Sequence, residues 1–298
     1  MARLNWPVEL ATGHGRPLAR YEQDERLRQD LHGDPARARL AVCSDGNHHM
    51  ALEGALQAFA QAHPGLEEIF YTTTPPRIAL QILQGGGLQI GNFRLSVTPH
   101  VFIGPSPVLD GLAAAGTITR RIPFMRSRGV VLLVRKNNPA RIAGVGDLLR
   151  DDVRLFLSNP DTERVSYQIY ADCLRCLADG RGIALDFLTH PPGQPDPAKL
   201  VYGESIHHRE APQAVADGRV DAAAVFYHLG LRYRRIFPEL FDFVWPAESP
   251  DNPPCDAGVS ACGLVGDGGE WGSGLLDFLR SDAVTQIYLD HGLVRADS

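Results

Sequence analysis

Apolar and polar positions alternate along the chain from Ala38 in a repeating order of strand, polar loop and helix. This alternation is typical of α/β proteins. The first half predicts strands at 39–43, 68–71 and 100–105, and helices at 50–62, from 78 to 83, and in a short segment ending at 112. Each of these three strands leads through a polar loop into a helix.

The same order of elements begins again after a strand at 129–135. The pattern predicts a strand at 153–157, a helix that continues to 177, a helix at 205–216, strands at 220–227, 241–245 and 259–265, and a terminal helix at 275–289. The run from Val220 to Tyr227 is continuously apolar, so both of its faces should be covered.

Composition limits the classes of protein that fit. A chain of 298 residues with 44% hydrophobic residues is long enough for one large domain or two of ordinary size. The net charge is −6 and the basic residues are scattered, which argues against nucleic acid as a partner. No apolar run approaches the roughly 20 residues of a membrane-spanning helix, so no membrane insertion is expected.

The N-terminal sequence contains no apolar segment of the secretory type. We therefore expect a cytoplasmic location for the chain as it stands, and a periplasmic location if a signal was removed.

The five cysteines form an odd set, which disfavours a complete disulfide framework and predicts mostly reduced thiols. Cys173 and Cys176 form a C-x-x-C inside a predicted helix, where packing is favoured over redox chemistry or metal binding.

Several segments resemble the substrate-binding components of molybdate and tungstate ABC importers. They are AVCSDGNHHMALEGAL, TTTPPRIALQI, VVLLVRKNNPARIAGVGDLL, FLSNPDTERVSYQIYADCL, AVADGRVDAAAVFYHLG and SDAVTQIYLDHGL. The resemblance covers about residues 38–298. It implies the α/β type II periplasmic-binding-protein fold, with two lobes, each a mixed sheet flanked by helices, joined by two crossing strands. Lobe 1 would comprise 39–124 and 246–298, lobe 2 would comprise 125–245, and 1–38 would be an N-terminal extension.

The resemblance also implies a ligand: a tetrahedral oxyanion such as molybdate or tungstate, trapped between the lobes by hinge closure, with an ABC importer permease as a possible partner. Hydroxyls and backbone N–H groups at helix N-termini would hold it, because a helix N-terminus carries partial positive charge. The ligand-binding positions would be Asn47, His48, Thr72, Thr73, Thr74, Arg164, Val165, Ser166 and Tyr227.

Histidines in the same loops leave other interpretations open. They are His48, His49, His207, His208 and His228. Imidazole is a common ligand of transition metals, and Asp45 or Glu210 would complete such a site, so a bound divalent transition metal is one alternative. None of the pairs has the i, i+4 spacing of a helical metal site. Protonated histidines with Arg164 would instead suit a larger anion, such as an organic acid or phosphonate. Surface or structural roles are the third interpretation.

Enzyme motifs are not evident in the sequence. There is no G-x-S-x-G, no H-E-x-x-H and no G-x-G-x-x-G between a strand and a helix. We therefore expect a binding protein with no catalytic residues and no cofactor. An enzyme on the same fold, with the histidines and Asp45 in acid–base roles, is the second alternative.

Overall fold

The computed structural model describes residues 4–6, 30–46, 48–74, 76–85, 87–90, 93–189, 198–204, 206–246 and 258–296. The chain divides into two compact units. We call residues 8–126 with 259–298 the terminal unit, and residues 1–7 with 127–258 the middle unit. Within the described ranges, no helix has the length and apolar character needed to cross a membrane.

Strands and helices are numbered in chain order. The strands of the terminal unit are β1 (Asp30–His32), β2 (Leu40–Ser44), β3 (Ile69–Thr73), β4 (Leu88–Ile90), β5 (Phe93–Leu95), β6 (Val101–Pro105), β7 (Ile118–Ser127), β13 (Val259–Val265) and β14 (Leu293–Arg295). Its helices are α1 (His49–Ala62), α2 (Pro76–Gly85), α3 (Ser106–Ala114), α7 (Gly269–Phe278) and α8 (Asp282–Asp290).

The terminal unit contains a seven-stranded sheet in the order β1-β3-β2-β6-β13-β7-β14. Strands β4 and β5 form a separate two-stranded sheet. Strand β2 lies between β3 and β6 and is parallel to both. Leu52, Leu56 and Phe59 of α1 are fully buried, at the helical spacing that the sequence predicts for an apolar face.

The strands of the middle unit are β8 (Val130–Arg135), β9 (Leu155–Leu157), β10 (Leu200–Tyr202), β11 (Ala222–Phe226) and β12 (Phe241–Val244). Its helices are α4 (Arg164–Asp179), α5 (His207–Ala216) and α6 (Tyr227–Ile236), with short 3-10 helices at Val145–Leu149 and Asp186–Thr189. The sheet order is β10-β9-β11-β8-β12. All five residues of β11 are buried, which confirms the prediction that this strand is covered on both faces.

Some elements differ from the sequence predictions. The strand predicted at 220–227 ends at Phe226, and Tyr227 begins α6 instead. The terminal helix predicted at 275–289 is two helices, because Ser281 starts a new one by accepting a hydrogen bond from the N–H of Val284 at 3.3 Å. Strand β7 was not predicted, since charged residues and Pro123 interrupt its apolar pattern.

Residues before position 39 also take part in the structure. Strand β1 pairs antiparallel with β3, and the N–H of Leu4 donates to Gln213 Oε1 in the middle unit at 3.0 Å. The long segment of the middle unit begins at residue 127 and ends at 258, where the sequence suggested 125 and 245.

Candidate functional site

The strand order reverses at β2 in the terminal unit, since β3 lies on one side of it and β6 on the other. Open α/β sheets bind their ligands beyond the carboxyl ends of strands at such a reversal. The loops at this edge are tied together, because the N–H of Thr74 donates to the Ser44 carbonyl at 2.9 Å and that of Asp45 to the Ile103 carbonyl at 3.0 Å.

Three consecutive threonines at this edge have different surroundings. Thr72 Oγ1 donates to Cys43 Sγ at 3.5 Å, and Thr73 Oγ1 lies 2.9 Å from His32 Nε2. Thr74 is 0% exposed, yet its hydroxyl has no hydrogen-bond partner among the residues that the structure describes. A buried hydroxyl without a partner is unfavourable unless something satisfies it. Of the three predicted threonines, Thr74 is therefore the one whose hydroxyl is available to a ligand.

His48 precedes α1 and is buried among aromatic side chains. Its ring lies 5.8 Å from that of Phe124 and 5.7 Å from that of Tyr288, and Nε2 is 3.6 Å from Asp45 Oδ1. Burial lowers the pKa of His48, and the charge of Asp45 opposes that shift. The side chain thus packs within the terminal unit.

The strand order of the middle unit reverses in the same way, at β9, with β10 on one side and β11 on the other. Both neighbours are parallel to β9. Ser158 directly follows β9 and is 0% exposed, and within the described part of the chain its hydroxyl has no hydrogen-bond partner. The hydroxyl of Thr162, two residues before α4, is also buried and unpartnered. Each unit therefore places an unsatisfied hydroxyl at its own reversal point.

The loop after β9 is fixed by its own hydrogen bonds. Asn159 Nδ2 donates to the Gly203 carbonyl at 2.8 Å, and Asn159 Oδ1 accepts from the N–H of Asp161 at 2.8 Å. The N–H of Glu163 donates to the Asn159 carbonyl at 2.8 Å. These bonds hold Ser158 and the start of α4 beside the end of β10.

Two carboxylates occupy the N-terminus of α5. Glu163 Oε2 accepts from the N–H of His207 at 2.9 Å, and Glu210 Oε2 accepts from the N–H of Ile206 at 3.1 Å. A Cβ at Gly203 would lie 2.6 Å from Glu210 Oε2, so a larger residue there would require this carboxylate to shift. Burial raises the pKa of Glu163 to about 8, the hydrogen bond from His207 lowers it, and the charge of Glu210 raises it.

The middle-unit histidines have interactions within that unit. His207 Nε2 lies 2.9 Å from the Ala224 carbonyl, and burial lowers the pKa of this ring to about 3. The backbone carbonyl of His208 accepts from the Tyr233 hydroxyl at 2.7 Å. His228 Nδ1 lies 3.2 Å from Ser127 Oγ, and its ring stacks on Phe226 with centroids 5.4 Å apart.

The predicted histidines that the structure describes do not form a metal centre. Among the residues that it describes, no three histidine, cysteine or acidic side chains are close enough together to hold a metal ion. His48 belongs to the terminal unit, while His207, His208 and His228 belong to the middle unit. The side chain of His49 and the whole of Asn47 lie outside the described residues.

The remaining predicted positions lie at helix starts of the middle unit. Arg164 and Val165 are exposed in the first turn of α4, and Ser166 beside them is half-buried. Tyr227 begins α6, where its ring lies 4.8 Å from that of Trp245 and below the guanidinium of Arg128 at 5.5 Å. The sequence reasoning did not select Ser158, Thr162 or Glu163, although Ser158 directly follows a predicted strand.

Comparison with known proteins gives the class of the molecule. A sequence comparison with curated proteins finds no significant match. The sulfate-binding protein SubI of Mycobacterium tuberculosis superposes with a TM-score of 0.63 at 16% identity, covering 87% of this chain and 86% of that chain. The periplasmic molybdate-binding protein of Azotobacter vinelandii gives 0.57 at 18% identity, covering 86% and 99%. Iron-bound HitA of Pseudomonas aeruginosa gives 0.54 at 17%, covering 84% and 83%.

These similarities confirm the predicted type II periplasmic-binding-protein fold. The family model for bacterial extracellular solute-binding proteins matches residues 40–294. The chain belongs to that family.

Proposed function

We propose that the protein binds a tetrahedral oxyanion, molybdate or tungstate in the first instance, for an ABC importer. The observation that carries this proposal is a pair of fully buried hydroxyls, those of Thr74 and Ser158, which have no partner among the described residues and lie at strand ends where the order of each sheet reverses. A ligand oxygen would give each hydroxyl the acceptor that the protein does not supply.

Neutral donors and helix ends suit a compact anion. Thr74 and Ser158 each precede a helix, α2 and α4, and the N-terminus of a helix carries partial positive charge. A hydroxyl bonded to a charged oxygen contributes about 1.5–3 kcal/mol. Such a site needs no lysine or arginine, which agrees with the absence of a basic cluster in the sequence. Hinge closure around the ligand stays a prediction.

A test uses thermal unfolding and calorimetry with molybdate, tungstate, sulfate and phosphate, and with Fe³⁺ and Zn²⁺ for the metal alternative. At a ligand concentration 100-fold above the dissociation constant, binding should stabilise the protein by about 2.7 kcal/mol. Thr74→Val and Ser158→Ala should each weaken oxyanion binding by about tenfold or more, because each removes one hydrogen bond to a charged group.

Two control substitutions match the test substitutions in side-chain size and in burial. Thr72→Val and Ser260→Ala remove buried hydroxyls that are bonded inside the protein, to Cys43 Sγ and to the Met125 carbonyl. They should alter stability and leave the oxyanion dissociation constant within about twofold. Stabilisation by a metal ion but by none of the four oxyanions would refute the proposal.

We further propose that the protein works outside the cytoplasmic membrane. Cys173 is disulfide-bonded, whereas Cys43 and Cys262 are free thiols, and Cys255 lies outside the described residues. Cys173 therefore has a covalent role beyond packing. Disulfides persist mainly in oxidising compartments.

Thiol counting on protein isolated from its native cells tests the compartment. A single disulfide uses two of the five cysteines, so the unfolded, unreduced protein should react at three thiols and the reduced protein at five. Recombinant protein kept reduced throughout is the control. Five reactive thiols in the native protein before reduction would contradict the assignment.

A further inference from the structure

Glu163 lies on the loop between β9 and α4, beside the N-terminus of α5. It directly precedes α4, and its carboxylate accepts a hydrogen bond from the N–H of His207, the first residue of α5. The carboxylate therefore satisfies the N-terminus of α5, while it makes no capping hydrogen bond to α4. Ser158 lies on the same loop, five residues earlier, and its fully buried hydroxyl has no partner among the described residues.

The carboxylate has no compensating cation among the described side chains that act on it. Glu210, the one ionisable side chain whose charge shifts the pKa of Glu163, is itself acidic. His207 acts through its backbone N–H, and its buried ring is neutral near pH 7. Arg164 follows Glu163 in the chain, but it is exposed. An oxyanion placed beside two ionised carboxylates would be repelled.

We propose that Glu163 shares one proton with the bound oxyanion and thereby sets which ligands, and which protonation states, the site accepts. The inference rests on the oxyanion function proposed above. For an ion without a proton, such as molybdate near neutral pH, the Glu163 carboxyl keeps its proton and donates it to a ligand oxygen. For hydrogen phosphate, the ligand supplies the proton and the Glu163 carboxylate accepts it.

The environment of Glu163 supports the protonated form. Its pKa of about 8 means that the neutral carboxyl predominates at pH 7. Above that value, binding an ion that lacks a proton requires uptake of one proton from solution. The affinity for molybdate should then fall by up to about tenfold for each pH unit.

Calorimetry with molybdate from about pH 6.5 to about pH 9.5, in buffers of different ionisation enthalpy, tests the proposal. The native protein should take up about one proton per molybdate at the alkaline end. Glu163→Gln retains an acceptor for the N–H of His207 and cannot titrate. Its uptake should be near zero, and its affinity should be nearly independent of pH. Glu204→Gln, which changes an exposed carboxylate near β10, should behave like the native protein.

A ligand-free measurement separates this inference from the oxyanion function. Because the folded pKa of Glu163 is raised, the native state binds more protons than the unfolded state between about pH 4.5 and about pH 8. Stability should therefore fall across this window as pH rises, more steeply in the native protein than in Glu163→Gln. If stability has the same pH dependence in both proteins, or if molybdate binds at alkaline pH without proton uptake, the proposed role of Glu163 is refuted and the oxyanion function is not. If the pH dependence of stability differs between the two proteins but no oxyanion binds, the oxyanion function is refuted, and the shared proton with it.

Discussion

Replacing Trp6 with alanine should lower the free energy of unfolding of the middle unit by about 3 kcal/mol. The Trp6 ring lies 4.2 Å from the guanidinium carbon of Arg209 and 5.7 Å from that of Arg232. Its ring is nearly perpendicular to those of Tyr233 and Phe237, with ring centroids 5.8 Å and 5.3 Å apart. Alanine would remove these aromatic and cation–π contacts together.

Urea unfolding followed by far-UV circular dichroism measures this effect without relying on tryptophan fluorescence. Trp6→Phe keeps an aromatic ring and should retain part of the stability. Leu240→Ala, at an exposed position of the same unit, should change the free energy of unfolding by less than about 0.5 kcal/mol. An unchanged midpoint for Trp6→Ala would show that residues 4–6 do not contribute to the stability of the unit.

Acidification should destabilise the middle unit through His207. Burial lowers the pKa of this imidazole from 6.5 to about 3, so below pH 6.5 the unfolded chain binds a proton that the folded protein does not. The stability contributed by the neutral ring is complete above pH 6.5 and is lost as the pH falls toward 3. The loss should be about 1.4 kcal/mol for each pH unit in this window.

His207→Gln isolates that contribution, because glutamine can still donate to the Ala224 carbonyl and carries no charge at any pH. Free energies of unfolding at several pH values should show a shallower acid slope for the variant. The comparison at pH 8, where both side chains are neutral, gives the cost of the replacement itself. Parallel slopes for the two proteins would contradict a buried, neutral His207.

The described strands followed mainly from local sequence. Leu40–Ser44, Val101–Pro105 and Val259–Val265 are short apolar runs bounded by polar or glycine residues, and the structure confirms the strands predicted there. Strand β7 was not predicted, because Arg120, Arg121 and Pro123 interrupt its apolar residues. Its strand conformation depends on pairing with β13, which is distant in sequence.

The sequence predicted that the candidate site lies at strand ends, but it did not predict which side-chain atoms would be available to a ligand. Thr72, Thr73 and Thr74 look equivalent in sequence, yet Cys43 and His32 bond to the first two and leave the third hydroxyl unsatisfied. The loop histidines similarly suggested a metal. Their burial against aromatic rings and their individual polar contacts depend on strands and helices elsewhere in the chain.

The sequence by itself determined the α/β alternation, because apolar periodicity is a local property that each segment carries independently. It also determined that the helices follow polar loops at strand ends. Only the tertiary structure decided that the N–H of His207 donates to the Glu163 carboxylate, a contact between residues 44 positions apart. The physical reason is that burial and hydrogen bonding depend on which loops the sheet order makes neighbours, and local sequence does not specify that order.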